Sequence, residues 1–186
     1  MADASWKKRI ISQSDLMMLG EQLRERGKKI VFTAGSWDLI HAGQCRYLEK
    51  AKKYGDVLVV GVSSDAAIRR VKGPNKPILG EKIRAEMLTY LRSVDYVTLL
   101  PEPSCAPSLG LLRPDKYVTV KEDWTSEYES SKEYKLVTSY GGEVFVVDRQ
   151  STSVSTTQIL QRAIGGALSD TLKDYMQYRK DPIKEK

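Results

Sequence analysis

One imidazole serves a chain of 186 residues, and that residue, His41, stands in the stretch TAGSWDLIHAGQCRYLEKAKKYGD between Thr33 and Asp56. A histidine can donate a hydrogen bond to a phosphate oxygen and offset charge that develops there. A β-rich run ends near Thr33, so Gly35 to Gly43 fall at the carboxyl edge of a strand, and a helical pattern starts near Gln44. The first N–H groups of such a helix point at an anion before any side chain is counted. A polar surface histidine is the competing reading of this residue taken alone. Two further groups have phosphate-holding types. The basic loop RRVKGPNKPI offers Arg69, Arg70, Lys72 and Lys76, against the alternative of a solvated loop. Ser155, Thr156 and Thr157 open a late helix with three hydroxyls, although routine capping needs only Ser155.

These residues need elements to carry them, and the pattern alternates. KKIVFTAG (28–35), DYVTLL, KYVTV and EVFVVD read as strands, and DVLVVGVSSD (56–65) is a continuous apolar run, as expected of a parallel strand buried on both faces. Between them, Tyr47, Leu48, Ala51 and Tyr54 recur at helical spacing, as do Ile83, Met87, Leu88 and Leu91. A short helical stretch is expected around 106–112 and a longer one over about 127–140, stopped at Gly141–Gly142. STTQILQRAI begins with hydroxyl caps and is expected to run as a helix to Gly165. Alternation of this kind predicts an α/β fold, a Rossmann-like parallel sheet with helices on both faces, binding ligand beyond the strands' carboxyl ends. No repeat or boundary divides the chain, so residues 1–186 read as a single domain. A lead-in helix is expected over 13–26, and a C-terminal helix and tail over 168–186.

Composition narrows the classes. At 41% hydrophobic and 29% charged the chain reads as globular, and its net charge of +6 suits anionic small molecules. Zinc-finger spacing, an RNP-like aromatic strand and long Lys/Arg runs are all missing, so nucleic acid is not the expected partner. The N-terminal stretch lacks the apolar core of a secretory signal, and no apolar run nears the ~20 residues of a membrane helix. Cys45 and Cys105 have neither metal-ligand spacing nor the density of a disulfide framework. The expectation is a cytoplasmic protein with no protein-held metal.

GSWDLIHAGQCRYLEKAKKYGD resembles the H-x-G-H signature of the nucleotidyltransferase superfamily that includes cytidylyltransferases and adenylyltransferases. From about Arg9 to Ile164 the chain is similar to the adenylyltransferase domain of heptose-phosphate (ADP-heptose synthesis) proteins. The similarity is carried, in order, by RGKKIVFTAGSWDLIHAG, GVSSDAAIRRVKGPNKPI, RAEMLTYLRSVDYV, LRPD, GGEV and STTQIL. The resemblance implies a Rossmann-like fold and transfer of a nucleotidyl group from a nucleoside triphosphate to a phosphate-type acceptor, releasing pyrophosphate. It implies Mg²⁺ carried by the nucleotide, ATP as favoured donor and a phosphorylated small molecule as acceptor. A homodimer is the implied assembly, and a sugar kinase, fused in some relatives, would act separately.

The resemblance also implies roles. His41 would contact the nucleotide phosphates, and Gly43 would let the backbone approach closely. Thr33, Ala34, Gly35 and Ser36 would line the phosphate pocket, and Asp38 would brace the loop. Lys72 would act in catalysis, with Arg69, Arg70, Lys76 and Arg84 toward the acceptor or pyrophosphate; Arg84 matches an arginine that reaches substrate phosphates. Arg149 and Ser155 to Thr157 would face the triphosphate. Near TVKEDW, where the family reads V-K-G-G-D-W or G-D-D-W, Asp123 and Trp124 match; Lys121 and Glu122 replace glycines, and Lys121 could stand in for the family lysine.

The larger departure is Gln44, where the signature has its second histidine. Removing a transition-state donor costs on the order of 10²–10³ in rate. Glutamine keeps an N–H donor without charge, so a milder loss is expected. Two classes follow: an adenylyltransferase, with a cytidylyltransferase for an alcohol phosphate or an FMN adenylyltransferase as neighbours, or a nucleotide-binding regulator without turnover.

Overall fold

In the computed structural model, which describes residues 5–121, 128–148 and 156–180, the five runs become strands of one sheet, and a short strand ahead of them makes a sixth. They are β1 (Ile10–Ile11), β2 (Ile30–Gly35), β3 (Val57–Ser63), β4 (Tyr96–Leu100), β5 (Lys116–Val120) and β6 (Glu143–Val147). The order is β1-β4-β3-β2-β5-β6, and every pair is parallel. From β2 the chain winds outward through β3 and β4, then crosses back to place β5 on the other flank of β2. Strand order therefore reverses between β2 and β5, and the crevice at their carboxyl ends is where such sheets hold ligands.

Alternation along β2 feeds both faces of the sheet. Val31 joins Leu58, Val60 and Val62 against α2 (Ala42–Lys52) and α4 (Glu81–Thr89), through Tyr47, Leu48, Ala51, Ala85 and Leu88. Ile30 and Phe32 join Val57 and Val59 against α1 (Leu16–Glu25), α5 (Ala106–Leu112) and α6 (Lys132–Ser139), through Leu16, Leu19, Leu23, Leu109, Leu112 and Val137. Asp56 and Asp115 fix the entry to β2, their carboxylates accepting from the Lys29 and Ile30 N–H groups at 2.8 Å. Gly61 in β3 leaves room for this packing: a Cβ there would stand 2.9 Å from both Phe32 Cζ and Leu100 Cδ1.

Several boundaries differ from the sequence reading. Helix α2 begins at Ala42, so Gln44 is the third residue of its first turn and His41 is the N-cap. The basic loop is largely helix: α3 (Asp65–Lys72) carries Arg69, Arg70 and Lys72, capped by Ser64 Oγ, which accepts from Ala67 N–H at 3.1 Å. The late helix does not stop at Gly165; α7 runs unbroken from Thr156 to Lys180. Gly165 and Gly166 together cost the helix only about 2 kcal/mol, which the flanking turns outweigh. The lead-in segment divides into a 3-10 turn, Gln13–Asp15, and α1. The expected helix over 127–140 is a 3-10 turn, Tyr128–Ser130, followed by α6, with Gly141 at φ 86° just beyond. Among the described residues no helix is long and apolar enough to cross a membrane.

Candidate active site

The crevice is built from the loop that leaves β2. After Gly35 the chain turns through Trp37 (φ 53°) and Leu39 (φ 48°), left-handed conformations that side chains other than glycine seldom adopt. Backbone of this kind persists where its surroundings over-determine it. Trp37 is buried, and its indole N–H donates to the Gly61 carbonyl at 2.9 Å. Between the two lies Asp38, also buried, whose carboxylate accepts from the Ile78 N–H at 2.8 Å and the Leu79 N–H at 3.0 Å. The Asp38 carbonyl accepts from Thr156 Oγ1 at 2.7 Å. One residue thereby joins the β2–α2 loop to the α3–α4 loop and to the start of α7.

Arg84 completes the frame, and its place differs from the expected one. It is fully buried, and its guanidinium donates to the carbonyls of Leu79 (2.8 Å), Ser63 (2.8 Å) and Ser36 and to the Asp65 carboxylate (2.7 Å). These acceptors spend the donors that a phosphate would need, so Arg84 ties three loops together instead of reaching into the crevice. Asp65 is held in turn by its N–H, which donates to Glu81 Oε2 at 2.7 Å. Thr33 is a second correction. It is buried, and its hydroxyl lies 2.7 Å from Tyr47 Oη, which itself donates to the Val118 carbonyl at 3.0 Å. The phenol's one hydrogen goes to Val118, so Thr33 is the donor to Tyr47 and faces the core, not a ligand.

The remaining candidates divide. Lys72, the last residue of α3, extends its ammonium to Ser36 Oγ at 2.9 Å, which puts a cation at the lip of the β2–α2 loop. Ala34, Gly35 and Ser36 are partly exposed at the carboxyl end of β2, and Lys76 is partly exposed in the α3–α4 loop. His41 and Gln44 are partly exposed at the mouth of α2, and Gly43 is buried in its first turn. Gln44 Oε1 accepts from the His41 backbone N–H at 3.1 Å. Thr156 and Thr157 open α7. Arg69 is exposed on α3, and Arg70 turns to Glu102 at 3.3 Å. Lys121 is exposed just past β5. Asp123, Trp124, Arg149 and Ser155 lie outside the described residues.

Reading the sequence missed Trp37, Tyr47, Asp65 and Glu81, whose contacts shape the loops. The apolar spacing of Tyr47 marked it as core but not as a hydrogen-bond hub. Neither cysteine is primed as a nucleophile. Burial, with the Glu49 carboxylate, raises the Cys45 thiol, and burial raises Cys105 to about 12. Among the described residues no group of three or more His, Cys, Asp and Glu side chains is arranged to hold a metal ion.

A parallel sheet in this order, with His41 at the N-cap of a helix at its switch point and Lys72 beside Ser36, defines a Rossmann-like α/β domain. The model of the cytidylyltransferase-like family matches residues 32–162. Bifunctional protein HldE of Syntrophotalea carbinolica is 44% identical over 142 residues, 76% of this chain and 28% of that protein. Bifunctional protein HldE of Geobacter metallireducens is 45% identical over 149 residues, covering 78% and 29%. The chain thus spans under a third of the length of these relatives. A solved lipopolysaccharide core biosynthesis protein from Thermoplasma volcanium aligns at TM-score 0.56 and 26% identity, over 68% of this chain and all of that one. A pantoate-beta-alanine ligase from Francisella tularensis shares the fold at TM-score 0.50 and 14% identity, over 77% and 68%. The chain belongs to the cytidylyltransferase-like family of nucleotidyltransferases.

Proposed function

We propose that this domain transfers an adenylyl group from ATP to the phosphate of a sugar-phosphate-like acceptor and releases pyrophosphate. The observation that carries the reading is convergence at the switch point. The N-termini of α2 and α7, the His41 side chain and the Lys72–Ser36 pair all belong to elements joined through Asp38 and Arg84. In the step, an acceptor phosphate oxygen attacks the α-phosphorus. The bond from that phosphorus to the α–β bridging oxygen breaks, and pyrophosphate leaves with the electron pair. The attacking oxygen is already anionic, so no strong base or covalent intermediate is needed; alignment and charge cancellation suffice.

Helix N–H groups and His41 would bind the triphosphate, and Lys72 would offset charge on the acceptor or the departing pyrophosphate. The crevice residues are cationic or neutral donors, a set suited to phosphates that bring their own Mg²⁺, which would supply further charge neutralisation. A sugar kinase would install the acceptor's phosphate, and the working unit would be a homodimer. Support for the heptose-phosphate branch comes from the bifunctional relatives and the lipopolysaccharide core biosynthesis protein.

The test is pyrophosphate release with each of the four nucleoside triphosphates against sugar phosphates, alcohol phosphates and FMN. ATP with a sugar phosphate should give the fastest turnover, abolished or strongly reduced by His41→Ala. CTP with an alcohol phosphate as the better pair would move the chain to the cytidylyltransferases. Nucleotide binding without turnover on any pair would make it a binding protein.

A further inference from the structure

We propose that Thr156 is a positioning residue and not a phosphate ligand: its hydroxyl fastens the start of α7 to the β2–α2 loop and so sets where α7 meets the triphosphate. The inference rests on the nucleotidyltransferase reading above. A threonine hydroxyl has a single O–H to give. In Thr156 it goes to the Asp38 carbonyl at 2.7 Å, 118 positions earlier in the chain. What the hydroxyl still turns outward is lone-pair density, and a phosphate oxygen, itself an acceptor, finds no hydrogen there. Holding Asp38 and donating to a nucleotide therefore exclude each other.

The acceptor is well fixed, and the helix it holds is not. Asp38 is buried between the left-handed residues Trp37 and Leu39, with its carboxylate on the Ile78 and Leu79 N–H groups. Its carbonyl thus belongs to a braced loop, the same loop that leads to His41 at the mouth of α2. Burial does little to locate the start of α7. Thr156, Ile159 and Leu160 are only half-buried, and the described side chains from Gln161 to Thr171 are exposed. A helix with so little packed face takes its direction from the contacts at its end, and Thr156 is the first residue of α7. The bond to Asp38 therefore refers the first N–H groups of α7 to the loop that carries His41. A misplacement of about 1 Å can cost about 10²-fold in rate, so this tie weighs more in kinetics than in stability.

Two substitutions in the full chain test the tie. Thr156→Val keeps the shape and removes the O–H; Thr156→Ser keeps the O–H. Hydrogen exchange of the nucleotide-free protein, followed by mass spectrometry on peptides covering α7, reads the tie itself. Pyrophosphate release with ATP, Mg²⁺ and a sugar phosphate reads what the tie does. Thr156→Val should exchange about 3- to 10-fold faster along the first turns of α7 and melt within about 4 °C of wild type. Its kcat/KM for ATP should fall about 10- to 100-fold, with the KM for the sugar phosphate within about threefold of wild type. Thr156→Ser should match wild type in both readouts. If Thr156→Val slows turnover but exchanges like wild type without nucleotide, the hydroxyl is a direct ligand and the proposal is overturned. Faster exchange with unchanged kcat/KM would overturn the positioning role, as would a Thr156→Ser variant as slow as Thr156→Val. Wild-type protein that turns over with no nucleotide and acceptor would overturn the nucleotidyltransferase reading and the positioning role together, whereas an active wild type matched by Thr156→Val would remove the positioning role alone.

Discussion

Arg84→Met removes a side chain that touches all three loops around the crevice while filling much of the same volume. Arg84 is completely buried, and its acceptors are the carbonyls of Ser36, Ser63 and Leu79 and the carboxylate of Asp65. Orphaning a buried acceptor costs about 1 kcal/mol or more, so the three carbonyls together amount to about 3 kcal/mol. The Asp65 side chain keeps 24% of its surface in solvent, which recovers part of its loss and leaves about 1 kcal/mol. A total of about 3–5 kcal/mol matches the usual cost of breaking a buried pair by removing one partner. In a chain of 186 residues this corresponds to a melting point lower by about 6–20 °C. Arg84→Lys should recover only part of the difference, since one ammonium cannot span acceptors that a planar fork reaches. Arg70→Ala is the control: its pair with Glu102 is exposed at both ends (58% and 57%), and its loss should cost at most about 1 kcal/mol. Thermal and urea unfolding followed by circular dichroism measure all three. An Arg84→Met variant that melts within 3 °C of wild type would refute the idea that this guanidinium holds the loops together.

Lys72→Ala should slow nucleotidyl transfer by about 10²-fold or more while leaving the melting point almost unchanged, because the side chain is exposed and only bridges to Ser36; steady-state kinetics beside thermal melting would check both. Tyr47→Phe should cost about 1–3 kcal/mol in urea unfolding, since it strands the buried Val118 carbonyl and the Thr33 hydroxyl. Alkaline pH should destabilise the fold. Burial raises Cys105 to about 12 and pushes Tyr117 and Tyr140 above their ordinary range. The folded chain therefore keeps protons that the unfolded chain releases, so their contribution is intact below about pH 9 and is lost as pH rises toward about 12. Urea midpoints at pH 8, 9.5 and 11 should fall in that order, and a midpoint unchanged to pH 11 would contradict it.

The sheet was largely legible, because a central strand buried on both faces, as β3 is, has to be written as a continuous apolar run, and four further β-rich runs stand in the chain. Strand β1 was not, since two residues, Ile10 and Ile11, carry no period. Gly73, Pro74 and Pro77 made the segment before them look like loop, although Ser64 and Asp65 supply a helix start eight residues upstream of Lys72. In the site, His41 was found by its uniqueness and its place after a strand. The role of Arg84 was hidden, because a charged residue on a helix reads as solvent-facing unless its partners are known, and these come from positions 36, 63, 65 and 79. Gln44 carried a signal that went unread. The spacing of Gln44 from residue 41 fits a capping box, but the box is sought after serine or threonine, and a histidine in that place draws attention to chemistry instead.

In the proposed reaction the α-phosphorus of a nucleoside triphosphate is joined to a phosphorylated acceptor. Parallel reactions with ATP labelled at the α- or the γ-phosphorus, each with Mg²⁺ and a sugar phosphate, test it most directly. Label should reach the sugar product only from the α-labelled nucleotide, with γ-label recovered as pyrophosphate. Label passing to the acceptor from the γ-position, or product label from neither nucleotide with any acceptor tried, would contradict it.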